Sequence, residues 1–132
     1  FSGDFVMGWT STLISPPDGD VGQYFNSLDQ LLNRSDNVYL PGHGLQVEDA
    51  KTYVAKLKKH RMERENQILS ILKIRPLNSY QIANKIYKNQ PQPIIYAGSR
   101  NVFAHLINLL ERNLICCDGA ISPDNCFEFI NK

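Results

Sequence analysis

The sequence contains no run of 18 apolar residues, so it predicts no transmembrane helix, and we expect no association with a membrane. It shows no signal peptide, internal repeat or low-complexity segment. It also lacks a phosphate-binding glycine loop, a GxGxxG motif and the residue order of a Ser-His-Asp triad. These absences exclude P-loop enzymes, dinucleotide-binding folds and serine hydrolases of known pattern.

Cysteine is also scarce. The three cysteines, Cys116, Cys117 and Cys126, cannot all pair with one another, and none belongs to a CxxC motif. We therefore expect ordinary thiols in a reducing cytoplasm. A disulfide across the Cys117–Cys126 region is the alternative, although nothing in the spacing supports it.

The 132 residues, 42% of them hydrophobic, are enough for one ordinary domain or two small ones. The net charge of +1 hides a strong asymmetry, because residues 1–50 hold seven acids and one base, whereas residues 51–100 hold eleven bases and two acids. Such a basic segment favours an anionic partner, above all nucleic acid. The alternative is a solvated, lysine-rich helix face, which would include Lys51, Lys56, Lys58 and Lys59.

The first half of the chain predicts strands and helices in alternation. The runs "FSGDFVM" and "NVYLP" are typical of short strands, and the second is stopped by Pro41. Apolar residues at helical spacing predict a helix over 21–33, with Asp20 as its cap. A long helix is expected from Glu48 or Asp49 to about residue 73, ended by Arg75-Pro76.

The second half predicts two more helices and a hairpin. Asn78 or Ser79 would cap a short helix, "NQPQPII" reads as a connector, and Ser99 would cap a third helix that ends near Asn113. The runs "LICC" and "CFEFI" then predict a β-hairpin. Three helices followed by a hairpin are the order of a winged helix, whose third helix usually enters the DNA major groove.

This prediction defines a candidate nucleic-acid surface. On the third helix, we expect Asn101, His105 and Asn108 to be exposed. The candidate contacts to phosphates are Lys85, Lys88, Arg100 and His105.

Two short motifs in the first 50 residues suggest metal chemistry. Asp4 in "SGD" and His43 in "PGHG" each follow a predicted strand and lie beside glycines that let an ion approach the backbone. Spacing alone leaves a plainer interpretation open, in which Asp4 forms a turn and His43 is a solvent-exposed side chain.

The ordered segments "SGDFVMGWTSTLISPPDGD", "YLPGHG" and "HRMERENQIL" resemble the C-terminal half of a metallo-β-lactamase-fold protein. The similarity is to the β-lactamase-like subgroup that carries a winged helix. The resemblance implies an α+β (α/β) chain, with residues 1–60 as part of the αββα sandwich and residues 61–132 as a winged-helix-like domain. It also implies that the N-terminal half of the sandwich is missing, so that residues 1–60 need that half or a self-association partner.

The same resemblance implies roles for two residues. Asp4 matches the aspartate that bridges both metals of a dinuclear zinc site, and His43 matches the last histidine ligand. The main HxHxDH motif of the family is absent here, as is its separate histidine ligand. One Asp and one His cannot hold zinc in a hydrolytic geometry, so this chain alone is expected to be inactive.

Two classes of function follow. The resemblance implies a hydrolase that, when intact, cleaves phosphodiesters of single-stranded RNA, with thioester hydrolysis of the glyoxalase II type as the competing chemistry. The basic segment 51–100 favours the nucleic-acid substrate. The alternative is a non-catalytic winged helix that serves nucleic-acid binding or dimerisation.

Overall fold

A computed structural model describes residues 1–131. These residues form the helices α1 (Val21–Leu32), α2 (Ala50–Leu72), α3 (Ser79–Ile86) and α4 (Gln92–Glu111), followed by the strands β1 (Ile115–Cys117) and β2 (Phe127–Phe129). The predicted α+β class is confirmed, since the described residues combine four helices with one small antiparallel sheet. Within this range, no helix is both long and apolar enough to cross a membrane.

The chain divides into two compact units. The first comprises Phe1–Leu13 and Gly22–Glu63, and the second comprises Ile14–Val21 together with the described residues from Arg64 onward. The long helix α2 contributes residues to both units. The second unit thus includes a segment that the predicted ranges 1–60 and 61–132 place in the first part, and those domain bounds stay a prediction.

In the first unit, helical spacing brings apolar side chains of α1 and α2 into a small core. Asp49 begins α2 as predicted, because its Oδ1 accepts a hydrogen bond of 3.1 Å from the backbone N–H of Thr52. The buried apolar residues of this unit are Val6, Tyr24, Leu28, Tyr39, Val47, Ala50, Val54 and Leu57.

The two strands predicted for the first unit are wrong as extended elements. Among the described residues, the segment of Asp4 makes a single parallel bridge, between Gly3 and Pro41, and Tyr39 makes a single antiparallel bridge to Val47. A strand needs a hydrogen-bonded neighbour along its length, which these segments do not find within the described residues.

The second unit is built as predicted in its element order. Asn78 caps α3 with a capping box, in which Asn78 Oδ1 accepts from the Gln81 N–H at 2.9 Å and Gln81 Oε1 accepts from the Asn78 N–H at 3.0 Å. The hairpin pairs Ile115 with Phe129 and Cys117 with Phe127. The core consists of Ile68, Leu72, Leu77, Ile82, Ala83, Ile95, Val102, Leu106, Leu109, Ile115 and Phe127. Whether this arrangement is a winged helix stays a prediction.

The start of α4 corrects the prediction that Ser99 caps it. The helix begins at Gln92, after Pro91, so that the supposed connector is its first turn and Ser99 lies inside it. Proline is tolerated in a first helical turn because the N–H groups there have no intrahelical acceptor. Ser99 is buried, and its Oγ donates to the carbonyl of Tyr96 at 2.7 Å.

Candidate metal centre and the nucleic-acid surface

Asp4 and His43 lie side by side in the first unit. The backbone N–H of Gly42 donates to the carbonyl of Gly3 at 2.9 Å, which holds the two loops together. As a result, His43 Nε2 lies 3.5 Å from Asp4 Oδ1. The structure therefore brings together the two residues that the sequence proposed as metal ligands, although their role as ligands stays a prediction.

Glycine is required beside this pair. A Cβ atom on Gly42 would lie 2.8 Å from Asp4 Oδ1, and one on Gly44 would lie 2.6 Å from a ring carbon of Trp9. Gly44 also adopts a φ of +89°, which side chains disfavour. The bare loop around His43 thus lets the Asp4 carboxylate approach the backbone closely.

The pair is open to solvent, with 65% of the Asp4 side chain and 66% of the His43 side chain exposed. Carboxylate oxygen and imidazole nitrogen are both zinc ligands, so the donor types fit zinc. The number of donors does not, because the described residues hold no cluster of three or more His, Cys, Asp or Glu side chains that could bind a metal ion. Asp4 and His43 therefore form part of a metal site at most, and no reaction step is derived from them.

The candidate phosphate contacts differ in their surroundings. Lys85, Lys88 and Arg100 are exposed, as such contacts require. The prediction that His105 is exposed is wrong, because its side chain is fully buried and is out of reach of a phosphate. Asn108 on the same helix is also buried, which corrects the predicted polar face of the third helix.

His105 and Asn108 are instead grouped around Glu65 of α2, which is itself buried. Asn108 Nδ2 donates to Glu65 Oε2 at 3.3 Å, Arg112 Nη1 donates to Glu65 Oε1 at 2.5 Å, and His105 Nδ1 lies 3.9 Å from Oε2. We call these four residues the Glu65 cluster. Burial alone raises the pKa of the Glu65 carboxyl, but the interactions with His105 and Arg112 outweigh it, so this pKa lies below its usual value.

The sequence carried a signal for the buried position of Glu65. Arg61, Glu65, Ile68 and Leu72 recur at intervals of three and four residues, which places them on one face of a helix. All four are buried. Two charged residues on an apolar stripe indicate buried ion pairs, whose partners must come from elsewhere in the chain.

Known proteins resemble the chain over most of its length. No family model matches it. It is 29% identical over 122 residues to the Beta-lactamase-like protein 2 homolog of Caenorhabditis elegans and 30% identical over 112 residues to that of Drosophila melanogaster. These matches cover 92% and 83% of the chain but only 38% and 37% of the relatives.

Two further likenesses are informative. The chain is 32% identical to an Atrochrysone carboxyl ACP thioesterase from Aspergillus chevalieri over 73 residues, which are 55% of the chain and 22% of that protein. A crystal structure of a Beta-lactamase domain protein from Burkholderia ambifaria superposes with a TM-score of 0.86 at 19% identity, covering 98% of the chain and 41% of that structure.

These findings define the class of protein. The structural match shows that the chain has part of a metallo-β-lactamase fold. The two animal relatives support the β-lactamase-like family within that fold.

Proposed function

We propose that the chain is the C-terminal part of a zinc-dependent hydrolase that acts on RNA phosphodiesters. The observation that carries the proposal is the 3.5 Å approach of His43 Nε2 to Asp4 Oδ1 on two solvent-exposed loops. A coverage of 37–41% of the matched proteins supports a longer functional unit than this chain. The remaining ligands would come from the other half of the fold or from a self-association partner.

In this proposal, Asp4 supplies carboxylate oxygen and His43 supplies imidazole nitrogen to a dinuclear zinc site. Bound zinc would acidify a water molecule so that hydroxide is available at neutral pH. The open position of both side chains suits a site that must admit a large substrate. With only these two ligands, the chain by itself is expected to bind zinc weakly and to show no hydrolysis.

The choice of RNA rests on charge. Residues 51–100 carry eleven bases and two acids, and Lys51, Lys56, Lys59, Lys85, Lys88 and Arg100 are exposed. Such a surface favours a polyanion over a neutral ester. Thioester hydrolysis is the second candidate, which is favoured by the likeness to the fungal ACP thioesterase.

A third candidate needs no metal. The second unit has the order of helices and hairpin that predicts a winged helix, and Lys85, Lys88 and Arg100 lie on its surface. In this version the chain binds nucleic acid without cleaving it. Binding that weakens steeply with added salt, without cleavage by the complete fold, would favour this candidate.

Metal binding is tested first on the chain itself. Zinc titration followed by NMR should shift the resonances of His43 and its neighbours, and Asp4→Asn or His43→Ala should weaken this binding by about tenfold or more because each removes one of two ligands. Asp18→Asn and His60→Ala are matched controls that lie outside the pair and should leave zinc binding unchanged. Zinc-induced shifts that persist in both ligand variants would refute the assignment of the site.

The reaction is tested on a protein that contains the complete fold. RNA oligonucleotides and an acyl thioester are offered in parallel, with and without a chelator. We expect cleavage of RNA that is lost with Asp4→Asn and after chelation. Hydrolysis of the thioester alone would replace the RNA proposal by the second candidate.

A further inference from the structure

The second unit contains a cavity of about 660 Å³ that is remote in sequence from Asp4 and His43. Its size lies within the range of roughly 300–1,000 Å³ that is usual for small-ligand pockets. Its walls come from three places in this unit: the segment 15–17, the start of α3 with residues 123–124, and one face of α4. The features that matter below are the rings of Tyr80, Tyr96 and Phe103, the guanidinium of Arg100 and the carboxylate of Asp124.

Aromatic side chains supply the apolar part of the cavity. Tyr80 and Tyr96 are 41% and 62% exposed, so each offers ring surface to a ligand. The Tyr80 hydroxyl donates to Gln92 Oε1 at 2.7 Å, which restrains its ring. Phe103 packs edge-on against Phe127, with ring centroids 6.2 Å apart. These rings form surfaces against which a flat aromatic ligand can stack.

The cavity also contains a restrained positive charge. Arg100 Nε donates to Ser15 Oγ at 2.5 Å, and Arg100 Nη2 donates to the carbonyl of Pro16 at 3.3 Å. A guanidinium has five N–H donors and stays protonated, so these two bonds leave donors for an anion. Asp124 places one carboxylate in the same wall, which can accept from amino groups of a ligand but opposes an anion beside it.

Stacking surface together with a restrained guanidinium recognises one kind of molecule particularly well. It must carry a flat aromatic ring and, a few ångströms away, an anionic group. We propose that this cavity binds a nucleotide, with its base against the exposed tyrosines and its phosphate on Arg100. The inference deepens the proposed action on RNA and rests on it for the choice of a nucleotide as ligand.

The test uses the chain as it stands, with a chelator present so that metal plays no part. Adenosine 5′-monophosphate, adenosine and inorganic phosphate are titrated separately, and binding is followed by NMR shifts and calorimetry. The nucleotide should bind about tenfold more tightly than either part and should shift the resonances of Tyr96 and Arg100. A nucleotide that shifts no residue of the cavity overturns the proposal.

Three variants assign the contacts. Arg100→Gln should lower the affinity for the nucleotide to that for adenosine, whereas Lys88→Gln, which removes the same charge outside the cavity, should change it less than twofold. Equal weakening by both variants would mean a general charge effect and would overturn the site. Tyr96→Leu should weaken the nucleotide and adenosine alike, about five- to tenfold, because stacking is common to both.

Folding and ligand class are controlled separately. Arg100→Gln also removes the bonds to Ser15 and Pro16, so its thermal unfolding is compared with that of the parent chain, and Tyr96→Leu decides if the Arg100 variant does not fold. A proline-rich peptide that binds the cavity while the nucleotide does not would overturn the proposal. Nucleotide binding that survives in Asp4→Asn, whatever that variant does to zinc or RNA cleavage, separates this inference from the proposed function.

Discussion

Glu65→Gln replaces one buried charge by a neutral group of the same shape. Only 11% of the Glu65 side chain is exposed, and Arg112 and Asn108 both donate to it. A hydrogen bond to a charged group contributes about 1.5–3 kcal/mol and a neutral one about 0.5–1.5 kcal/mol. Because half of the Arg112 side chain is exposed, its contribution is screened. We therefore expect the variant to lose about 2 kcal/mol of the free energy of unfolding at neutral pH.

The pH dependence of this loss has a definite sign. The folded pKa of Glu65 lies below its usual value, so its charge stabilises the fold above the usual glutamate pKa of about 4.3, and this contribution disappears as the pH falls through the folded pKa. The difference between the parent chain and Glu65→Gln should therefore shrink below about pH 4. Taking a difference removes the titration of the other carboxyls.

The assay is urea unfolding followed by circular dichroism at neutral and at acid pH, because helices α3 and α4 dominate the signal of the second unit. Tryptophan fluorescence is unsuitable, since Trp9 lies in the first unit. Glu63→Gln is the matched control, an exposed glutamate on the same helix 4.0 Å from Lys59, and should cost less than about 0.5 kcal/mol. A Glu65→Gln loss that equals the control, or that grows on acidification, would refute the assigned role of the Glu65 cluster.

Two further variants test the packing and the capping of the second unit by urea unfolding. Gly98→Ala places a methyl group 2.6 Å from a ring carbon of Tyr87, whose ring is also covered by the Arg64 guanidinium. The clash should outweigh the gain of about 1 kcal/mol in helix propensity and destabilise the unit by about 1–2 kcal/mol, so a stabilised variant would contradict this packing. Asn78→Ala removes the cap of α3 and should cost about 1 kcal/mol, and an unchanged midpoint would show that the capping box contributes little.

Local signals were enough to predict most helices. Asn78 is a good cap, Asp49 precedes an amphipathic stretch, and Arg75-Pro76 follows the end of α2, so these helix limits were correct to within a few residues. The start of α4 was missed because Pro91 and Pro93 were taken as helix breakers. In a first turn proline has no bond to lose, and the helix could begin around it.

Pairings between distant segments could not be predicted in the same way. His105 looked like a surface residue because its partner Glu65 lies 40 positions earlier in the chain. The predicted strands around Asp4 and Tyr39 depended on hydrogen-bonded neighbours, which local sequence does not encode. The approach of Asp4 to His43 likewise emerged from family resemblance and from the structure, since neither residue alone is more than a common loop side chain.

The segment 14–21 has a consequence for the order in which this protein can fold. The backbone N–H of Ile14 donates to Asn101 Oδ1 at 2.9 Å across 87 positions of sequence, and Ser15 and Pro16 receive Arg100. Contacts this far apart close slowly, because a long loop must be ordered before they form. During synthesis, residues 14–21 emerge early and wait for α4. A truncated chain that starts at Arg64 would therefore lack one wall of the nucleotide cavity from the outset.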